Sequence, residues 1–299
     1  MVDRPMDRPC ADVVVCVHDS PDDVRACLSS VLPTLGAADG LIIVDDGSAE
    51  ETKRLCEEVA AGAPDRVRLI RRPEGSGFCR AANAGIRVSE ADIVVLLNSD
   101  TIVPAGWIDR LAACMRHHPR IGLAGPLSNA GGWQSIPALP DKGVVNNRVR
   151  SDDETLAAIQ AFCADFAARY DAPFVELLNG FCIAIRRTVL DEVGLLDDER
   201  FPQGYGEEWD LCFRAQDAGF LCTVAIDCFV YHAKTKSYTT AQREELSRAG
   251  RAQLDSRHGP RRVRDAVRGV KAHPVLASVR ADAREAFLRN GWLLPEDPS

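Results

Sequence analysis

The sequence predicts an α/β protein in which helices cover both faces of a mainly parallel sheet. Short apolar segments alternate with segments of helical periodicity through the first 125 residues. Short, continuously apolar strands are typical of parallel sheets that are buried on both faces. Ligands bind such sheets beyond the carboxyl ends of the strands, so the residues that follow each strand are the first functional candidates.

The strands and helices of this first part follow one another in a regular order. The first helix should begin at Pro21, with Ser20 as its N-cap and Asp23 three residues after the cap. Pro104 should open the last helix of this part. Strands are predicted at 12–17, 41–44, 67–71, 92–97 and 121–124, with further helices at 51–60 and 78–89.

The second part of the chain is less regular. Residues 126–175 contain several prolines and a predicted helix at 152–169, and we expect them to form an insertion that shapes a cleft. Gly219 should end a helix at 207–218. Strands are predicted at 181–186, 220–226 and 228–232, and the chain is polar, arginine-rich and helical after about residue 240.

Composition excludes several classes of protein. A net charge of −8 argues against a chain that coats nucleic acid. The eleven cysteines form no CxxC pair, and several lie in apolar runs, so we expect small buried hydrophobes and no zinc site or disulfide framework. Reduced thiols indicate the cytoplasm. Since no segment resembles a signal peptide or membrane span, we expect a soluble protein and leave peripheral membrane contact open.

Polar clusters follow two of the predicted strands. Asp45 and Asp46 end the second strand, where carboxylates can accept hydrogen bonds from ribose hydroxyls or a base N–H, although Asp-Gly is also a common turn dipeptide. Asn98, Ser99 and Asp100 end the fourth strand. Their oxygen atoms suit Mg²⁺ or Mn²⁺, and helix or turn capping is the alternative reading.

Two further clusters lie in the second part of the chain. Glu207, Glu208 and Asp210 open a helix, where one carboxylate could act as a general base and Asp210 could instead pair with Arg214 four residues later. His232 ends the last strand and could complete a metal site, with Lys236 nearby for phosphate oxygens.

Taken in order, these segments resemble the family 2 glycosyltransferases, and within them the bacterial rhamnosyltransferase-like branch. The match runs from about residue 12 to about residue 240. It consists of Val-Asp-Asp-Gly-Ser (44–48), Gly77-Phe78 with Asn83 and Gly85, Leu-Asn-Ser-Asp-Thr (97–101), Asn-Gly-Phe-Cys-Ile-Ala-Ile-Arg (179–186), Tyr-Gly-Glu-Glu-Trp-Asp-Leu-Cys-Phe-Arg (205–214) and Tyr231-His232.

The resemblance implies a GT-A fold at 1–240, with a Rossmann-like nucleotide-sugar half at about 12–125 and an acceptor half at about 126–240. Residues 241–299 would be a helical extension. It also implies inversion at the anomeric carbon, a UDP-, dTDP- or GDP-linked hexose or deoxyhexose donor, and a glycan, lipid-linked or protein acceptor. The protein would act in bacterial glycan or glycoconjugate synthesis, and homodimerisation stays open.

Carried over residue by residue, the resemblance assigns roles to these positions. Glu208 matches the catalytic base, with Glu207 and Asp210 as alternatives, and Asp100 and His232 match metal or diphosphate ligands. Donor contacts are expected from Val17, Asp19, Asp45, Asp46, Gly77, Phe78, Asn83, Asn98, Ser99 and Lys236.

The chain departs from the family pattern in ways that affect the donor more than the reaction. Asn98 replaces the first Asp of the usual Asp-x-Asp, which removes a charge from the metal site. Cys16 and His18 replace a common Pro and Tyr, which bears on nucleotide choice. Two other classes remain as alternatives, a catalytically silent nucleotide-sugar or glycan-binding member and a sugar-1-phosphate nucleotidyltransferase. The latter would require a basic triphosphate loop where this chain is acidic, and no GxGxxG follows the first strand to favour a dehydrogenase.

Overall fold

A computed structural model describes residues 9–140, 148–234 and 240–294. Its strands are β1 (Ala11–Val17), β2 (Gly40–Asp46), β3 (Val67–Arg72), β4 (Ile93–Asn98), β5 (Thr101–Ile102), β6 (Ile121–Leu127), β7 (Phe174–Val175), β8 (Cys182–Arg186), β9 (Leu221–Phe229) and β10 (Tyr231–His232). Its α-helices are α1 (Pro21–Val31), α2 (Glu50–Gly62), α3 (Phe78–Val88), α4 (Trp107–Arg116), α5 (Asp153–Ala164), α6 (Phe166–Arg169), α7 (Arg187–Val193), α8 (Glu207–Asp217), α9 (Thr240–His258), α10 (Pro260–Lys271) and α11 (Pro274–Asn290).

The central sheet is mainly parallel, as the sequence predicts. Its strand order is β3-β2-β1-β4-β8-β6-β9-β7. The first four strands run parallel to one another, and β6 runs parallel to β9. Strand β8 lies antiparallel between β4 and β6, and β7 closes the other edge antiparallel to β9. Because β8 reverses direction, the loop that precedes it reaches the same edge of the sheet as the end of β4.

The register of the parallel strands brings the two polar clusters together. Cys16 of β1 is aligned with Val44 on β2 and with Asn98 on β4, and Val17 is aligned with Asp45. The carboxyl ends of these three strands therefore lie side by side. The short ribbon of β5 and β10 aligns His232 with Thr101, one residue after Asp100.

Apolar side chains fill a layer on each face of the sheet. Strand β1 supplies Val13, Val15 and Val17 to one layer, which packs against α1, α2 and α4, and Val14 to the other. Since successive side chains of a strand point to opposite faces, this run of valines is buried on both sides. The second layer also holds Leu254.

The three C-terminal helices pack onto this second layer. They contribute the buried residues Leu254, Val263, Ala266, Val270, Leu276, Val279, Ala283 and Phe287 to the same cluster as strand β1. Helices α9, α10 and α11 thus share the core of the sheet. Of the helices that the described ranges contain, none carries an apolar stretch long enough to cross a bilayer.

Several predicted boundaries are wrong in detail. Helix α1 begins at Pro21, but Ser20 has a left-handed backbone (φ 59°) and makes no side-chain cap bond, so the predicted capping does not occur. The helix expected from Pro104 begins at Trp107.

Two predicted elements divide differently along the chain. The helix predicted at 152–169 is divided at Asp165 into α5 and α6. The two strands expected at 220–226 and 228–232 are instead one long strand, β9, and the short β10.

Candidate active site

Asp46 ties the end of β2 to the segment before α3. Its carboxylate accepts bonds from the backbone N–H of Ser76 and Gly77 and from the Ser76 hydroxyl, all at 2.9 Å. Arg72 Nε lies 3.1 Å from the same carboxylate. The group expected to contact the nucleoside is thus used to fix the loop before α3.

Asp45 and Asp19 stabilise the neighbouring turns. Asp45 is 1% exposed and accepts the Ser48 N–H at 3.0 Å, with Arg71 at 3.8 Å. Exposed Asp19 accepts the Ala49 N–H at 2.7 Å, directly before α2. Val17 is buried at the end of β1, so its backbone is the part that can face a ligand.

Asp100 and His232 form the candidate metal centre. His232 Nε2 lies 3.3 Å from Asp100 Oδ1, and the imidazole is nearly buried. Its ring stacks on Phe181 with centroids 5.4 Å apart. The Asn129 side chain accepts the His232 N–H and donates to its carbonyl oxygen, at 2.8 and 2.9 Å, so both backbone and ring are held in place.

The hydrogen bonds of His232 fit a divalent cation. Its Nδ1 lies 3.1 Å from the carbonyl oxygen of Ala130, which can only accept, so Nδ1 carries the proton. Nε2 then carries a lone pair that faces the Asp100 carboxylate. A proton or a cation between these two groups would make the contact favourable. An imidazole fixed through Nδ1–H to a backbone carbonyl is typical of metal ligands. Across the described ranges, no group of three or more His, Cys, Asp or Glu side chains could hold a metal ion, so substrate oxygens would have to complete the coordination.

Glu207 and Glu208 form a coupled acidic pair at the start of α8. Both carboxylates accept a bond from the single N–H of Gly206, at 3.0 and 3.2 Å. Burial and then the charge of Glu208 raise the pKa of Glu207 well above its ordinary value. Burial also raises the pKa of Glu208, while a bond from Glu207 opposes that rise. The two carboxyl groups therefore titrate as a coupled pair in which both pKa values are raised, because burial and the repulsion of two neighbouring charges disfavour the doubly ionised form.

The surroundings of the pair explain these shifts. A small recess beside the two carboxylates is lined by Gly180 and by Phe78, Leu96, Ile183, Leu196 and Leu211. A Cβ added to Gly180 would lie 3.5 Å from the Glu208 carboxyl carbon, so this backbone passes directly beside the base candidate. Apolar walls disfavour the charged form of a carboxyl group.

Loop contacts connect the acidic pair to the other candidates. An added Cβ at Gly77 would lie 2.1 Å from the carbonyl oxygen of Pro202, so the loop fixed by Asp46 touches the loop before α8. The Asn98 N–H donates to the Phe181 carbonyl at 2.9 Å, and Phe181 stacks on His232. Strand ends and loops that are far apart in sequence thus meet at one edge of the sheet.

Other predicted contacts lie nearby. Phe78 begins α3 and lines the recess, and half-buried Asn98 and Ser99 lie at the end of β4. Lys236 lies outside the described residues.

Two predicted site residues have their polar atoms bonded within the protein. Asn83 is 1% exposed and exchanges two hydrogen bonds with the backbone of Leu196, at 2.9 and 3.1 Å. Asp210 is fully buried and faces Arg214 Nε at 2.7 Å and His258 Nε2 at 2.8 Å. Both oxygens of Asp210 therefore have partners away from the recess, which favours Glu207 and Glu208 as base candidates.

The sequence reasoning missed residues that position the site. Ser76, Asn129 and Ala130 hold Asp46 and His232 in place, but their partners lie 30 to 103 residues away. Such pairings leave no local pattern. The Asn-Gly-Phe motif at 179–181 was recognised only through the family resemblance, and its proximity to Glu208 was not foreseen.

Solved structures with the same architecture define the class of the fold. A mannosyltransferase from Pyrobaculum calidifontis in complex with GDP-Man and Mn²⁺ has a TM-score of 0.62 at 17% identity, covering 97% of this chain and 78% of that one. A second structure is a glucosyl-3-phosphoglycerate synthase from Mycobacterium tuberculosis in complex with Mn²⁺, UDP and phosphoglyceric acid. It has a TM-score of 0.53 at 18% identity and covers 84% of this chain and 79% of that one. The chain has the GT-A fold of glycosyltransferases.

Sequence comparison gives the family. Residues 12–194 match Glycosyl transferase family 2, and the chain belongs to this family. An N-acetylglucosaminyltransferase from Mesorhizobium japonicum is 28% identical over 224 residues, 71% of this chain and 48% of that protein. An N-acetylglucosaminyltransferase from Sinorhizobium fredii is 30% identical over 218 residues, which cover 71% of this chain and 50% of that protein. The chain spans about half the length of these relatives.

Proposed function

We propose that this protein is an inverting glycosyltransferase that moves a sugar from a nucleoside diphosphate donor to an acceptor hydroxyl. The coupled pair of Glu207 and Glu208 carries the proposal. Both carboxylates accept the Gly206 N–H and line the same recess, and in the proposed reaction Glu207 carries the proton and Glu208 is the base. A carboxylate whose pKa is raised by burial is a stronger general base than an ordinary Glu.

In the proposed reaction the proton of the acceptor hydroxyl passes to Glu208. The hydroxyl oxygen forms its bond to the anomeric carbon from the face opposite the leaving group. The bond from that carbon to the donor phosphate oxygen breaks, and the nucleoside diphosphate leaves with the electron pair. Glu207 and the Gly206 N–H hold the Glu208 carboxylate in place during this transfer.

The strand ends supply the proposed donor site. The backbone of Val17 and exposed Asp19 would face the nucleoside, and Asn98 with Ser99 would face the ribose or diphosphate. Asp100 and His232 would hold Mg²⁺ or Mn²⁺, which would neutralise charge on the departing diphosphate. Their geometry supports this because His232 is fixed through Nδ1 with Nε2 toward a carboxylate.

The names of the relatives suggest which donors to try first. Two of them are N-acetylglucosaminyltransferases, and two structures with this fold hold GDP-Man or UDP. We propose a UDP- or GDP-linked hexose or N-acetylhexosamine as donor, with dTDP-linked deoxyhexoses as the next set. A role in bacterial glycan synthesis at the cytoplasmic face of a membrane, with a lipid-linked or glycan acceptor, fits this chemistry.

Ligand-induced stabilisation followed by product analysis tests the proposal. A donor that binds the folded protein at 100 times its Kd raises the free energy of unfolding by about 2.7 kcal/mol, which a thermal shift screen with Mn²⁺ detects. The stabilising donor is then incubated with and without candidate acceptors. Metal-dependent release of nucleoside diphosphate supports a transferase, and formation of pyrophosphate identifies a nucleotidyltransferase. Binding without either product identifies a catalytically silent member.

A further inference from the structure

Helix α9 lies outside the region matched by the family and touches the loop that precedes the acidic pair. Gly250 of α9 packs against the backbone of Tyr205, where an added Cβ would lie 1.7 Å from the Tyr205 carbonyl oxygen. One turn further along, the Leu254 side chain lies against Gly206, 3.2 Å from where a Cβ would be. The helix therefore contacts the two residues that precede Glu207.

The end of the same helix contacts α8 through a buried ion cluster. Asp210 is 0% exposed and faces His258 Nε2 at 2.8 Å and Arg257 Nε at 3.2 Å. Arg257 also contacts Asp197 at 2.6 Å, and the His258 ring packs on Phe213 with centroids 4.8 Å apart. The first turn of α8 is thus fixed from one side by α9, and a buried carboxylate in this position requires its cations.

The loop held in this way has a strained backbone. Gly204, Tyr205 and Gly206 all have positive φ, at 88°, 68° and 137°, and Tyr205 is a bulky side chain in the left-handed region. Such conformations persist only where neighbouring structure imposes them. Gly206 then donates its single N–H to both Glu207 and Glu208.

We infer that α9 is a positioning element for the acidic pair, and that Gly250, Leu254 and His258 set the place of the Glu208 carboxylate through Tyr205, Gly206 and Asp210. The inference rests on the proposed function for its catalytic readout. It assigns no chemical role to α9 itself, since none of these three residues lines the recess. It makes α9 part of the unit that positions the acidic pair.

The test uses a pair of matched substitutions in the full chain. Gly250→Ala places a methyl group against the Tyr205 carbonyl, whereas Gly269→Ala on α10 meets only the end of the Glu176 side chain, at 3.3 Å. A displacement of about 1 Å at a catalytic group can lower turnover about 100-fold, so Gly250→Ala should lower kcat by about that factor with the donor KM nearly unchanged. Gly269→Ala should keep wild-type kcat.

The pH profile separates positioning from general damage. The Gly206 N–H lowers the pKa of both carboxyl groups, so a displaced Gly206 should move the acid limb of kcat/KM to higher pH. Cys79 of α3 and Cys212 of α8 lie within electrostatic reach of the pair. Burial raises the pKa of the Cys79 thiol, and the hydrogen bond with Cys222 raises the pKa of the Cys212 thiol. Neither thiol therefore adds charge near neutral pH.

Hydrogen exchange of residues 204–211 provides a readout that does not depend on activity. Faster exchange in Gly250→Ala than in Gly269→Ala supports the positioning role even if the wild-type protein transfers no sugar, in which case the proposed function alone fails. An active wild type with unchanged kcat, pH profile and exchange in Gly250→Ala overturns the inference. If Gly250→Ala fails to fold, Leu254→Val is measured in its place, because it shortens the side chain that lies against Gly206. Faster exchange in this variant then supports the inference, and unchanged kcat, pH profile and exchange overturn it.

Discussion

Replacing Glu208 with glutamine isolates the proton transfer from the rest of the site. Glutamine has the shape of glutamate, and its side-chain oxygen can still accept the Gly206 N–H, 3.2 Å from the present carboxylate oxygen. The neighbouring backbone of Gly180 leaves ordinary van der Waals space, with 3.5 Å from the site of an added Cβ to the carboxyl carbon. The substitution should therefore remove the base and leave the recess intact.

The expected loss follows from the usual contribution of general-base catalysis. Such catalysis accelerates reactions by about 10²- to 10⁴-fold, which is about 2.7–5.4 kcal/mol of transition-state free energy. Glu208→Gln should lower kcat by that factor with little change in donor Kd. Glu207→Gln is the matched control, because a neutral amide resembles the protonated Glu207 and should retain most of the turnover.

Initial rates of nucleoside diphosphate release and donor titrations by calorimetry measure the two quantities. Near wild-type turnover in Glu208→Gln, or an equal loss in both variants, would refute the assignment of Glu208 as the base. A weaker donor Kd with unchanged kcat would place Glu208 in substrate binding.

Three further predictions concern the metal centre and the buried charges. His232→Asn should raise the Mn²⁺ concentration needed for half-maximal activity about tenfold or more. Asn98→Asp should lower that concentration, because it adds a negative charge near Asp100. A metal titration in which the midpoints are unchanged contradicts both predictions. Burial raises the pKa of Glu207, so the folded protein holds this proton at pH values where the unfolded chain has lost it, and stability declines as pH rises through the folded pKa. Glu207→Gln cannot ionise, so its Tm relative to wild type should increase with pH, and a pH-independent difference contradicts the protonated state. Asp210→Asn removes the buried carboxylate that pairs with Arg214 and Arg257 and contacts His258. It should lower the free energy of unfolding by about 3–5 kcal/mol in urea titrations, whereas a loss below about 1 kcal/mol contradicts the ion cluster.

The sequence predicts the strand ends well because burial is a local pattern. The valines of β1 and the apolar runs before Asp45 and Asn98 mark strands on their own. Parallel pairing then places both polar clusters at one edge, as the register confirms. The position of β8 between β4 and β6 could not be predicted, since strand order depends on partners distant in sequence.

The roles of individual polar residues were harder to predict than their positions. Asp210 has an arginine four residues later, and that pairing is confirmed, but its bond to His258 spans 48 residues. Asn83 is assigned a donor contact only through the family resemblance, yet its side chain bonds the backbone of Leu196, 113 residues away. A buried polar group must find a hydrogen bond, and sequence alone does not reveal whether a ligand or the protein supplies it.

The internal use of Asp46 affects how a donor would arrive. Since the carboxylate already binds the backbone of Ser76 and Gly77, the loop before α3 is held by bonds within the protein. A preorganised loop reduces the conformational entropy that association must overcome. Binding of the proposed donor beside this loop should therefore proceed without a slow folding step, so the association rate should be set by diffusion and orientation.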